Sequence, residues 1–191
     1  MQALENKILA EGRICKGGVL KVGTFLNQQL DVKFLFEMGE HIASLYKDSG
    51  VTRVLTIESS GIAIAVPAAY YLGVNVSFVK KSRSSNMSDD CYSSKGHSFT
   101  HGDDYNAVIS KEFILPGDRV LIVDDFLAEG NAVNAMVDIV KQAGATVVGC
   151  AIAIEKAFQG GGDKLRAQGY RVESLALIES MTDDGITFGT R

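Results

Sequence analysis

The chain has 191 residues, 46% hydrophobic and 22% charged. This is ordinary globular usage, and the length suits one domain with a proper core and a small appendage. A net charge of −4 argues against a general nucleic-acid binder, whose phosphate contacts need a basic surface, but leaves room for a small basic pocket. Cys15, Cys91 and Cys150 are odd in number, far apart and in no CxxC pair, which argues against a disulfide framework or structural zinc and for a reducing, cytoplasmic compartment.

Residues 2–11 read as a short amphipathic helix closed by Gly12, and the charges of Glu5 and Glu11 are unlike the core of a signal peptide. Residues 13–30 are irregular, with brief extended pieces such as Leu20-Lys21-Val22. Asp31 can cap a helix in which Val32, Leu35, Phe36, Met38, Ile42 and Leu45 recur at helical spacing, up to Gly50. Residues 53–58 form a short apolar run rich in β-branched side chains, Ser59-Ser60-Gly61 is a turn, and 62–72 look helical, with Pro67 a potential kink or break. Val74 to Val79 are a second apolar run. Residues 80–105 are polar, serine-rich and without period, and read as a long mobile loop with room for a short hairpin.

Three further extended runs follow, at 107–114, 119–123 and 146–154, with a helix over about 131–143 between the last two. A short helix at 163–168 and a final strand at 170–178 complete the chain. No apolar run is long enough to span a bilayer, so a membrane is not expected as a partner. Nearly all-apolar strands alternating with helices predict an α/β fold, a central, mostly parallel sheet with helices on both faces. In such sheets ligands bind beyond the carboxyl ends of the strands.

That rule directs attention to Val120–Ala132, VLIVDDFLAEGNA. It places two carboxylates, Asp124 and Asp125, at a strand tip, where they can accept hydrogen bonds from hydroxyls such as those of a ribose. Ala128, Glu129, Gly130, Asn131 and Ala132 lead into a helix whose unpaired N–H groups and dipole suit an anion. Small residues let a phosphate approach the backbone, and Gly130 supplies conformational freedom. Paired acids after an apolar strand also occur at magnesium sites and as plain solvated strand ends.

The whole thirteen-residue run resembles the PRPP-binding signature of type I phosphoribosyltransferases. The resemblance implies that Asp124 and Asp125 hold the ribose 2′- and 3′-hydroxyls and that residues 128–132 hold the 5′-phosphate. Glu129 and Ala132 stand where threonine is common, so backbone amides must do more and the charge of Glu129 must point away from the phosphate. Glu58-Ser59-Ser60-Gly61 resembles the family's pyrophosphate loop, and Lys80, Lys81 and Arg83 resemble the basic flank of its lid, Lys81 being taken as a PRPP contact. A lid would exclude water from an oxocarbenium-like transition state.

Within the family the layout is similar to that of the bacterial xanthine phosphoribosyltransferases. LKVGTFLNQQLD (20–31), IESSGIA (57–63), VKQAGA (140–145), IEKAFQ (154–159) and GYRVESLA (169–176) occur in the same order around the central motif. By that resemblance residues 1–30 contribute a hood to a single domain spanning 1–191, with Leu20 and Asn27 over a purine base and Lys156 reaching it from below. A lysine donor suits the C6 carbonyl of xanthine and an asparagine amide the C2 carbonyl. By composition alone the three are equally a core leucine, a turn asparagine and a surface lysine. Phe126 and Phe158 are assigned to the core rather than to the site.

The reaction implied is displacement at C1′ of PRPP by a purine ring nitrogen, giving xanthosine 5′-monophosphate and pyrophosphate. Magnesium would be bound mainly through substrate and water oxygens, with no dedicated protein ligands. The family further implies a homodimer. Another purine (guanine, hypoxanthine or adenine) as acceptor, a PRPP-sensing regulator without turnover, or a magnesium-binding nucleotide scaffold remain alternatives. His97, His101, Asp103 and Asp104 could hold a metal but read as a solvated loop, and Gly160-Gly161-Gly162 as a hinge or turn.

Overall fold

The computed structural model describes residues 1–15, 18–83, 87–97, 104–182 and 185–190. The helices are α1 (Gln2–Glu11), α2 (Val32–Tyr46), α3 (Gly61–Leu72), α4 (Asn131–Gln142) and α5 (Gly161–Ala167). The strands are β1 (Arg13–Cys15), β2 (Val19–Lys21), β3 (Arg53–Ile57), β4 (Asn75–Val79), β5 (Cys91–His97), β6 (Asp104–Ser110), β7 (Arg119–Leu127), β8 (Thr146–Lys156), β9 (Val172–Thr182) and β10 (Gly185–Gly189).

Six strands form the central sheet in the order β10-β9-β8-β7-β3-β4, parallel except for the antiparallel edge strand β10. Strand periodicity splits its apolar runs between two cores. Val54, Leu121, Val123, Ala151 and Ala153 face α1, α2 and α3, while Leu55, Val120, Ile122, Cys150 and Ile152 face α4 and α5. Both faces are covered, which explains why these strands show no polar alternation.

Several expectations need correction. The run at 107–114 is not a strand of the central sheet: β6 pairs antiparallel with β5, and Lys111–Phe113 then turn as a short 3₁₀ helix. Ala107 and Ile109 bury one side of that hairpin in the core beneath it, so their apolar character reflects a second, smaller sheet. Helix α3 continues through Pro67, a buried residue against which Gly39 of α2 packs so closely that a Cβ on the glycine would lie 2.6 Å from the proline. Tertiary packing there offsets the lost amide. The final strand is followed by β10, while β5 and β6 make the short hairpin for which the polar segment had room. Asp31 caps α2 as expected, accepting from the Phe34 amide at 3.1 Å.

The connection from β3 through α3 leads to β4 on one side, whereas β7, on the other side of β3, leads through α4 to β8. Helices α3 and α4 lie on opposite faces. The loops after β3 and β7 therefore diverge and leave a crevice at the carboxyl ends of two adjacent strands, where this class of sheet binds ligands.

Candidate active site

A cavity of about 610 Å³ occupies that crevice. Its floor is the end of β7. Asp124 and Asp125 are both buried, and the Asp125 amide donates to Asp124 Oδ1 at 3.0 Å. Burial, then the adjacent charge of Asp125, raises the Asp124 carboxyl well above its ordinary range. A buried acid in this state favours a ligand that brings hydroxyl donors or a cation.

On one side lies the start of α4. Gly130, with φ +92°, is its N-cap and offers no side chain to the first-turn amides, so these face the cavity without a cap acceptor. Glu129 is exposed on the rim, and the Asn131 side-chain amide donates to its Oε2 at 3.4 Å. Beneath this loop lies the glycine run at the start of α5. The Gly161 amide donates to the Ala128 carbonyl at 3.0 Å, and a Cβ on Gly161 would lie 2.3 Å from that oxygen. A Cβ on Gly162 would lie 1.9 Å from Oε1 of Glu155, a fully buried carboxylate that accepts both Arg166 η-nitrogens at 2.8 Å. Of the expected hinge or turn, Gly160 makes the turn with φ +75°, and Gly161 and Gly162 form a packing seam under the anion loop.

The opposite side is the loop after β3. The Lys81 amide donates to Glu58 Oε1 at 2.8 Å, joining this loop to the segment after β4. Gly61 sits directly beside Asp124, where a Cβ would lie 2.9 Å from Oδ1 and 2.3 Å from Thr56 Oγ1. Any larger residue there would push the acid aside.

The third side comes from the N-terminal hairpin and the end of β8. Leu20, Asn27 and Lys156 line the cavity here. The Lys156 ammonium donates to the Gly18 carbonyl at 3.0 Å and lies 5.7 Å from the centre of the Phe126 ring. Burial lowers its pKa. An apolar side chain, an aromatic ring and two side-chain donors therefore line this end of the cavity.

Residues 28–179 match the phosphoribosyl transferase domain family. The chain belongs to that family. It is 48% identical over 189 residues to xanthine phosphoribosyltransferase 1 of Clostridium perfringens, covering 98% of this chain and 100% of that one. It is 50% identical over 188 residues to the xanthine phosphoribosyltransferase of Heliobacterium modesticaldum, with the same coverage. Among solved structures, adenine phosphoribosyltransferase from Rhodothermus marinus shares its fold with a TM-score of 0.72 at 24% identity, covering 92% of this chain and 98% of that one. The Giardia lamblia enzyme complexed with 9-deazaadenine has a TM-score of 0.78 at 21% identity, covering 93% and 98%. These two likenesses establish the phosphoribosyltransferase fold.

Of the residues expected in this phosphoribosyltransferase's site, Leu20, Asn27, Glu58, Ser60, Lys81, Asp124, Asp125, Ala128, Glu129, Gly130, Asn131, Ala132 and Lys156 line the one cavity. Ser59 and Gly61 do not line it. Gly61 packs behind it against Asp124, and Ser59 lies in the same turn, where its carbonyl accepts from the Ile62 amide. Phe126, assigned beforehand to the core, lines the cavity, whereas Phe158 is exposed outside it. Phe126 is half-buried and packs against the core on its other side, so it belongs to both. Tyr105 and Gln28 also line the cavity. Gln28 follows Asn27 within the 20–31 motif, whereas no local signal marks Tyr105, which arrives on a hairpin whose docking is tertiary. His97, His101, Asp103 and Asp104, read as a solvated loop, lie outside the described residues and side chains.

Proposed function

We propose that this phosphoribosyltransferase transfers the 5-phosphoribosyl group of PRPP to xanthine in purine salvage. The observation that carries the reading is the convergence of paired acids, a helix-start anion loop and a buried lysine on one cavity. Relatives named xanthine phosphoribosyltransferase, similar over nearly their whole length, support the choice of base.

In this reading Asp124 and Asp125 accept hydrogen bonds from the ribose hydroxyls, and residues 128–132 donate to the 5′-phosphate. The turn Glu58-Ser59-Ser60-Gly61 and Lys81 surround the pyrophosphate. Residues 1–30 act as a hood belonging to the same domain, with Leu20 against the base face and the Asn27 amide on the C2 carbonyl. Lys156 has donors to spare beyond Gly18 and takes the C6 carbonyl. Catalysis is positioning of the ring nitrogen against C1′ and stabilisation of charge on the departing pyrophosphate. Xanthine is acidic enough to need little help from a base on the protein.

Among the described residues no three His, Cys, Asp or Glu side chains gather as a metal site. The raised pKa of Asp124 and the oxygen-only character of the acids suit magnesium arriving with PRPP. Bound there, the ion would neutralise charge on the pyrophosphate and ribose oxygens.

Among the described residues no helix is long and apolar enough to cross a membrane. A cytoplasmic homodimer completes the proposal, and light scattering on the purified chain checks the dimer. The deciding experiment is pyrophosphate release from PRPP and magnesium with a panel of bases. Xanthine should give the highest kcat/KM. A higher value for guanine, hypoxanthine or adenine would replace the substrate, and no release with any base would favour a regulatory role.

A further inference from the structure

Tyr105 stands on β6 directly opposite Gly96 of β5 and forms part of the cavity wall near Asp124. Its hydroxyl oxygen is buried and, among the described residues, has no hydrogen-bond partner. A buried hydroxyl in that condition destabilises the folded chain unless something completes it. The ring position is well defined on two sides. A Cβ on Gly96 would lie 2.3 Å from Tyr105 Cζ and 2.6 Å from its oxygen, so only glycine leaves room for the phenol. The Lys81 ammonium lies 5.6 Å from the ring centre, and the Lys81 amide is itself held by Glu58. The phenol is thus set near Lys81 and Asp124, and Lys81 is tied to the turn after β3 that the reading above gives to the pyrophosphate.

We propose that the Tyr105 hydroxyl donates a hydrogen bond to an anionic oxygen of the pyrophosphate group of PRPP, supplying the partner it lacks in the free protein. The inference rests on the PRPP reading above and extends it to a residue from the β5–β6 hairpin. Burial, then the charge of Asp124, raises the pKa of this phenol, which keeps it a donor at neutral pH. Oxygens that accumulate charge as the C1′–O bond breaks accept such a donor more strongly than the intact substrate does. Tyr105 should then contribute to turnover as well as to binding.

The test is Tyr105→Phe, which keeps the ring against Gly96 and Lys81 and removes one oxygen. Three readouts are followed in parallel with wild type: the ligand-free Tm, the Tm shift with PRPP and magnesium, and calorimetric binding of magnesium pyrophosphate and of ribose 5-phosphate. The expected result is an unchanged or higher ligand-free Tm and a smaller PRPP shift. Pyrophosphate should bind about 10-fold more weakly, with ribose 5-phosphate unaffected. In turnover, kcat/KM for PRPP should fall about 10- to 100-fold, with the purine KM within about twofold. A variant with the wild-type PRPP response and pyrophosphate affinity overturns the proposal. A lowered ligand-free Tm with those affinities intact does the same, since it marks a structural tyrosine. A wild-type chain that binds no PRPP would be a different result, which removes the parent reading as well.

Discussion

Two ionisable residues sit in surroundings that oppose their charged forms, and each makes a testable demand. The Asp124 carboxyl titrates well above its ordinary range because it is buried beside Asp125. In the unfolded chain it ionises at the usual pH, near 3.8. Between that pH and the raised value the folded state keeps the proton and the unfolded state does not, so this residue's contribution to stability declines as pH rises through the window. Asp124→Asn should therefore melt a few degrees above wild type at pH 7 to 8, with the gap closing as pH falls towards 4. The same variant should lose turnover by about 10²-fold, because an amide accepts a hydroxyl poorly and carries no charge. Equal melting temperatures across the whole pH range would contradict the burial argument. Lys156 is the mirror case, a cation whose pKa burial lowers. Lys156→Ala should cut kcat/KM for xanthine by about 10- to 100-fold and narrow its advantage over adenine, which offers no carbonyl at C6. A uniform loss across all bases would deny Lys156 any part in selection.

At the scale of elements, the anion loop depends on a helix far from it in sequence. Residues 128–130 rest on the start of α5, where Gly161 both donates to the Ala128 carbonyl and leaves no space for a Cβ. That contact joins the loop to a residue some thirty positions further along the chain, beyond β8. Gly161→Ala should shift the loop backbone by a few tenths of an ångström or more and weaken PRPP binding about 10-fold, because phosphate recognition there uses backbone amides of fixed direction. Isothermal titration with PRPP and magnesium measures it, and unchanged affinity would show that the loop holds its shape alone. The hairpin β5–β6 is the other element with a role beyond its own residues. It carries Tyr105 to the cavity, and Gly96 is the cross-strand space that permits it.

For the molecule as a whole, the crevice is a product of strand order. Hydrophobic runs and helix signals are local, so Asp31, Gly50 and the β-branched runs made the alternation of strands and helices legible in advance, along with the acids at the end of β7 and the glycine at the start of α4. The motif VLIVDDFLAEGNA contains its own strand, acids and helix start, and chemistry that depends on neighbours in sequence can be read from sequence. Which strands lie side by side is different, because pairing β7 with β3 rather than with β6 is settled by what each face can bury. That choice brought Lys156 to within reach of the Gly18 carbonyl, 138 residues away. It set Phe126 between the core and the cavity wall, drew 107–110 out of the main sheet, and brought Tyr105 near Asp124. By itself the sequence determined the periodic elements, the anion loop and the paired carboxylates, since each rests on contacts a few residues long. Only the tertiary structure decided which distant side chains meet them, because long-range burial and close glycine contacts depend on positions that no local pattern encodes.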